Sequence, residues 1–137
     1  MNLENFEIGS QENQYEATHF ILALLQVRDQ AHINHWQTKM EAEHVQFGMF
    51  YDAFLPLADA IVEGILGKYG VECFQFGDAQ IGLTDYSGNH MDFCEMVDEC
   101  YSIFCQVFDK EEDSELFNEM DNIKMLRNKL TYLLNQR

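Results

Sequence analysis

The chain reads as an all-α protein, a four-helix bundle with one long connection between its second and third helices. Three observations lead there. One proline and eight glycines in 137 residues leave long stretches free to be helical. Apolar residues recur at intervals of three and four through four separate segments, the period of an amphipathic helix. A single long, glycine-bearing segment near the middle has no period at all. Hydrophobic residues make up 47% and aromatics 13%, a composition of packed globules rather than of disordered chains. A chain of 137 residues is one domain, able to bury roughly two-thirds of its unfolded surface.

Residues 1–12 are polar and acidic and read as an N-terminal arm, leaving 13–137 for the bundle domain. The first helix is expected from Asn13 to Thr38. Phe20, Leu24, Val27 and Ala31 step at helical spacing, His35 continues that line, and Ile21, Leu25 and Arg28 widen the stripe. Lys39 to Ala42 read as a bend. The second helix, Glu41 to Lys68, carries Val45, Phe47, Phe50, Tyr51, Phe54, Leu57, Ala58, Ile61 and Leu66 over much of its circumference. A helix with two apolar faces has to be buried twice, once in its own bundle and once against a partner. Pro56 removes one backbone hydrogen bond and is expected to kink this helix near Tyr51 to Ala53. Gly67 and Gly70 supply its stop.

Residues 70–90 are long for a connection in a compact domain, and their length suits a return to the opposite end of a bundle, with room for one short helix. The third helix runs from Met91 to Phe108 on Phe93, Val97, Cys100, Phe104 and Val107. Asp109 to Asp113 form an acidic loop, with Ser114 the expected N-cap. The fourth helix, Glu115 to Leu134, turns Leu116, Met120, Ile123, Leu130 and Leu133 or Leu134 inward. Helix, bend, helix, long crossover, helix, short turn, helix is the topology of a ferritin-like four-helix bundle, with its crossover between helices 2 and 3.

The net charge of −16, with only eight basic residues, argues against binding a phosphate backbone, which needs clustered Lys and Arg. DNA binding is therefore not expected. Lys124, Arg127, Lys129 and Arg137 near the C-terminus complement a helix dipole. The acidic surplus either draws cations toward clefts or keeps the protein in solution. Cys73, Cys94, Cys100 and Cys105 show no C-x-x-C pairing and read as reduced, buried thiols. The segment Met1 to Asn5 has neither the basic start nor the apolar core of a signal peptide, and no apolar run reaches membrane-spanning length. A cytoplasmic protein with no membrane contact is the expectation.

His35, His44, Asp59 and Glu63 form a mixed nitrogen and oxygen donor set that suits iron or zinc better than calcium. Along one helix, His44 and Asp59 lie roughly 22 Å apart at about 1.5 Å per residue, so one chain cannot close such a site. Two antiparallel copies crossing near Ala53 would bring each His44 to the other copy's Glu63. A site inside one bundle needs Glu-x-x-His on two of the four helices. The two matches, Glu16-x-x-His19 and Glu41-x-x-His44, both fall in the first half of the chain, and the second half offers only His90, in the connecting loop. That kind of site is not expected. Each candidate also has a plainer reading. His35 can cap the end of the first helix, His44 can be a surface residue, and Asp59 and Glu63 ordinary exposed acids. Trp36 is packing wedged at the bend, His32 a surface neighbour, Glu16 and His19 a solvated pair, and the cysteines and methionines core filling.

The run Ala31-His32-Ile33-Asn34-His35-Trp36, then His44, then Asp59-x-x-x-Glu63, resembles the signature of the Dps-type mini-ferritins. The resemblance is tight over residues 31–66 and loose elsewhere. The variant His-Trp-Gln-Thr-Lys, Glu-His, Phe-Gly, Tyr-Asp is similar to small Dps-like proteins encoded by bacteriophages. In that family a His-Trp pair ends the first helix, a histidine with an acid one turn later opens the second, and Asp-x-x-x-Glu follows. The histidines of one subunit face the acids of another. The resemblance implies His35 and His44 as nitrogen ligands from one chain and Asp59 and Glu63 as oxygen ligands from its mate, with His32, Trp36 and Asp52 around them. It implies binding and storage of ferrous iron, a ferroxidase step using peroxide or dioxygen, and zinc as another occupant of the site. It also implies a homo-oligomer of two-fold dimers, up to a dodecameric shell, in the host cytoplasm or in a virion if phage-encoded.

Two departures stand out. The bend between His35 and His44 is shorter than in the family, and Gly48 stands where the first acid belongs. Asp52 is a further turn along, about 5.4 Å away. The basic arm that compacts DNA in the wider family is replaced here by Glu4, Glu7 and Glu12, with no Lys or Arg before Arg28. Two other functions stay open. One is a ferritin-like scaffold without catalysis, a structural or interaction protein such as a virion component or a binder of host proteins, motivated by those departures. The other, an acidic mimic of nucleic acid, rests on net charge alone.

Overall fold

The computed structural model describes residues 11–136, with side chains from Ala17 onward. Four helices make the fold: α1 (Gln11–Gln37), α2 (Glu41–Tyr69), α3 (His90–Val107) and α4 (Ser114–Leu134), with one 3-10 turn at Val71–Cys73. No strand occurs among the described residues. Of the expected arm, residues 1–10 lie outside the described residues, while Gln11 and Glu12 already belong to α1.

The corner between α1 and α2 is made without glycine or proline. The Thr38 hydroxyl accepts from the Met40 N–H at 3.2 Å and donates to the Glu43 carboxylate at 2.6 Å. One side chain thus holds both the bend and a buried acid in the first turn of α2. α2 continues through Pro56 as one helix and buries Phe47, Phe50, Phe54, Ile61 and Ile65. Gly70, in the left-handed region at φ 92°, closes it by donating its N–H to the Leu66 carbonyl. The outer side of α2 leaves Val45, Met49 and Leu55 exposed.

Each helix packs chiefly on two neighbours: α1 on α2 and α3, and α4 on α2 and α3. The core between them has an aromatic cluster toward either end. Phe20 meets Phe104 and Phe108 with centroids at 5.1 and 6.0 Å, and Phe93 meets Phe47 and Phe50 edge-on at 5.5 and 5.0 Å. Burying each such ring stabilises the fold by about 1.5–3 kcal/mol, so these clusters fix how the helices seat.

Residues 74–89 hold no regular secondary structure, yet they follow α1 along its length. Thr18 accepts from the Gln75 N–H at 3.0 Å, and Gln26 donates to the Gly82 carbonyl at 2.8 Å. Gln30 both donates to the Thr84 carbonyl and accepts from its N–H, at 2.9 and 3.0 Å. Gln37 accepts from the Tyr86 N–H at 2.7 Å. Backbone groups need partners when they leave water; here amide side chains on one side of α1 supply them in place of a neighbouring strand. The connection therefore runs alongside α1, from Thr18 near its start to Gln37 at its end.

Several sequence expectations change at the ends of elements. Ser114 is the first helical residue rather than the cap, and Asp113 precedes it. The buried Asp113 carboxylate instead accepts from the Asp109 N–H at 2.9 Å, from the Tyr69 hydroxyl, and from Lys68 at 2.9 Å. Lys68 also reaches Glu115 at 2.9 Å. His90 is not a loop residue: it opens α3 and is buried, with Nε2 3.0 Å from the Asn135 side-chain oxygen at the end of α4. The basic residues near the C-terminus do not sit in the last turn of α4. Arg127 grips Asp98 of α3 with two nitrogens at 2.9 and 2.8 Å, and Lys124 lies 4.2 Å over the Tyr101 ring. Arg137 lies outside the described residues. Cys73, Cys94 and Cys100 are buried as expected, but Cys105 is exposed.

Candidate functional site

His35 lies near the end of α1 and His44 in the first turn of α2, and the short corner folds one back on the other. Nδ1 of His35 is 2.7 Å from the His44 carbonyl oxygen, and Nδ1 of His44 is 2.8 Å from the His35 carbonyl oxygen. A carbonyl can only accept, so each Nδ1 carries the proton. In a neutral imidazole the lone pair is then on Nε2. The two rings stack with centroids 4.0 Å apart and planes 18° from parallel. Of the two, it is His44 that caps a terminal carbonyl of α1; His35 reaches across to α2 instead.

Gly48 is the seat for this pair. A Cβ there would stand 2.9 Å from Cε1 and 3.0 Å from Nδ1 of His35, inside normal contact. With the corner this short, the His35 ring covers the position where a side chain at 48 would emerge.

His32 is sandwiched by Trp36 at 3.9 Å and Tyr51 at 4.1 Å, and its ring centroid is 6.0 Å from that of His35. Trp36 is 66% exposed, so it is not wedged into the bend but lies over His32 on the surface. Ring contacts of this kind contribute about 0.5–1.5 kcal/mol each, enough to hold the local order of the corner.

Asp52, Asp59 and Glu63 are exposed on the outward side of α2, and none forms a hydrogen bond or ion pair with another described residue. Asp59 borders a groove of about 370 Å³ between α1 and α2, lined also by Leu25, Arg28, Leu55 and Val62. Arg28 is itself bonded to Asp29 at 2.8 Å, which raises its pKa. The chain brings His32, His35 and His44 together; it does not bring Asp59 or Glu63 to them. No group of three or more His, Cys, Asp or Glu side chains that could hold a metal ion occurs among the described residues. His19 is exposed, and the side chain of its expected mate Glu16 lies outside the described residues.

Sequence reasoning missed the use of Gly48 and the paired ring-to-carbonyl bonds. The available signal was a glycine inside an apolar helical run, Phe47-Gly48-Met49, which marks a close approach from a neighbour. It also missed Tyr51 as a partner of His32 and the amide row Gln26, Gln30 and Gln37. No described helix is long and apolar enough to cross a membrane. Residues 35–134 match the model described as Family of unknown function (DUF5856), a stretch that holds both histidines, Gly48 and the outward acids. No curated protein and no solved structure matches the chain.

Proposed function

The chain belongs to the DUF5856 family, and we propose that it is a homo-oligomeric protein that binds and stores ferrous iron between two-fold-related copies, like the Dps-type mini-ferritins it resembles. The observation that carries this reading is the reciprocal bonding of His35 and His44. An imidazole whose Nδ1–H is committed to a carbonyl is oriented and polarised as a donor through Nε2, the arrangement found behind most metal-binding histidines. Oxygen donors then come from a second copy. Asp59 and Glu63 are exposed and unengaged, and in an antiparallel mate they would face the histidines across the axis. Hard carboxylate oxygens favour the ferric product, and dioxygen or peroxide takes the electrons. Zinc suits the same nitrogen and oxygen set without redox chemistry.

Two features of the fold support this reading. The neighbour pattern of the helices and the connection running along α1 fit a ferritin-like bundle with its crossover between helices 2 and 3. The exposed Val45, Met49 and Leu55 on the outer side of α2 fit burial of that side against a mate.

A second reading draws on Gly48. The position lacks a carboxylate and has no room for one beneath His35, which favours a ferritin-like scaffold without catalysis, a structural or interaction protein such as a phage component. Iron-dependent growth of absorbance, measured for the wild type, His35→Ala and Asp59→Ala, tests the first reading. Slower growth in both variants is expected; equal rates in all three proteins contradict it. An intact oligomer that carries no metal after purification without chelator favours the scaffold.

A further inference from the structure

We infer that Gly48 is a positioning residue for the histidine pair: its bare backbone admits the His35 ring and so keeps that ring in the Nδ1–H form, stacked on His44, with its Nε2 available to a divalent cation. Glycine is a poor choice inside a helix on conformational grounds, and here it sits between Phe47 and Phe50, both buried. Its use lies in what a side chain would displace. An added Cβ would meet Cε1 of His35 at 2.9 Å and Nδ1 at 3.0 Å. The ring is also bonded to the His44 carbonyl at 2.7 Å and stacked on the His44 ring at 4.0 Å. It cannot retreat from a Cβ without lengthening the first contact or opening the second. Once that bond opens, nothing on this corner selects which nitrogen of His35 holds the proton. The His44 ring loses its stacking partner in the same movement but keeps its own bond to the His35 carbonyl at 2.8 Å.

The consequence is a ligand set unlike the one the mini-ferritin pattern supplies. This corner offers two imidazole nitrogens and no carboxylate from its own chain, which suits a borderline divalent cation such as zinc or ferrous iron better than calcium or magnesium. The cation rests on the function proposed above; the tautomer of each ring rests on the hydrogen bonds alone.

Nitrogen-15 NMR of the histidine rings in metal-free protein reads the tautomers directly. In the wild type, His35 and His44 are both expected to carry the proton on Nδ1, and in Gly48→Ala His35 is expected to become a mixture while His44 keeps its Nδ1 proton. Zinc affinity, measured against a competing chelator, is expected to fall about tenfold to a hundredfold in Gly48→Ala, the usual effect of disturbing what orients a ligand. Gly67→Ala is the control, because a Cβ on that residue of the same helix meets nothing within 4 Å; it is expected to change neither readout. In a His35→Ala background the added methyl at 48 meets no ring, so there Gly48→Ala is expected not to lower the melting temperature, although it does so in the wild type. That pair of melting curves decides the matter even if the single variant folds poorly. An Nε2–H tautomer on either wild-type ring, an unaltered His35 tautomer in Gly48→Ala, or equal melting losses in both backgrounds overturn the inference. The expected tautomers with no zinc bound by the wild type uphold the positioning role and overturn the cation-binding function.

Discussion

What a histidine can do is set by the atom its other nitrogen touches, and at the α1–α2 corner both touch carbonyl oxygen. His35 and His44 were legible in the sequence as a pair, because imidazoles are scarce in this chain and theirs fall either side of a bend. Their mutual bonding was not legible, since it depends on how tightly the bend closes. Gly48 was read as an absent acid; its meaning is the presence of His35 above it. Glycine at 67 has no such duty, so Gly67→Ala is expected to stabilise the protein by about 0.5–1 kcal/mol through reduced backbone freedom of the unfolded chain, read from the midpoint of denaturant unfolding. Cysteine was legible only as a buried type. Burial pushes the Cys100 thiol up to about 12 and raises those of Cys94 and Cys73, whereas Cys105 is exposed. Alkylation at neutral pH followed by mass mapping is expected to label Cys105 first and Cys100 only on unfolding; equal labelling of the two contradicts the packing of α3.

Elements were easier to read than their ends. Four helical periods could be counted from apolar spacing, and the boundaries moved by only one or two residues, as helix ends do. The acidic loop was visible as a loop, but Asp113 could not be recognised as the point where it is held, because its partners Lys68 and Tyr69 lie far away in sequence at the end of α2. The hydrogen bond from Lys68 to Asp113 holds the ammonium above its ordinary range, and the bond from Lys68 holds the Glu115 carboxyl below its own. The signs follow. Stability from a raised lysine is complete below the ordinary lysine range and is lost as pH rises through the raised pKa. Stability from a depressed glutamate is complete above the ordinary carboxylate range and is lost as pH falls through the depressed value. Lys68→Met is therefore expected to fall short of the wild type most between those limits, with the gap narrowing as pH drops through the acid range. Asp113→Ala removes a buried acceptor from three donors and is expected to cost roughly 2–3 kcal/mol, measured by urea unfolding at neutral pH. The path of residues 74–89 was hidden for a related reason: Gln26, Gln30 and Gln37 look like ordinary helix surface until the backbone they bind is laid beside them.

At the scale of the whole molecule, the single chain leaves its chemistry in two halves. Imidazole nitrogen gathers at one corner, and carboxylate oxygen stands further along the outward side of α2 beside exposed Val45, Met49 and Leu55. The sequence made this separation plain, because about 1.5 Å per residue along a helix is fixed geometry. It could not say what meets that side, since complementarity between two copies is a property of surfaces and not of spacing. A two-fold pair would join the halves twice, each copy giving its histidines to one site and its acids to the other. Subunit mixing tests this most directly. Chains carrying His35→Ala and His44→Ala are mixed, after reversible dissociation, with chains carrying Asp59→Ala and Glu63→Ala, and bound ferrous iron is counted. Neither variant alone is expected to bind, and the mixture is expected to regain about a quarter of the wild-type sites, because half the pairs are mixed and each holds one intact site. A mixture in which subunits exchange but no iron binding returns would contradict the account.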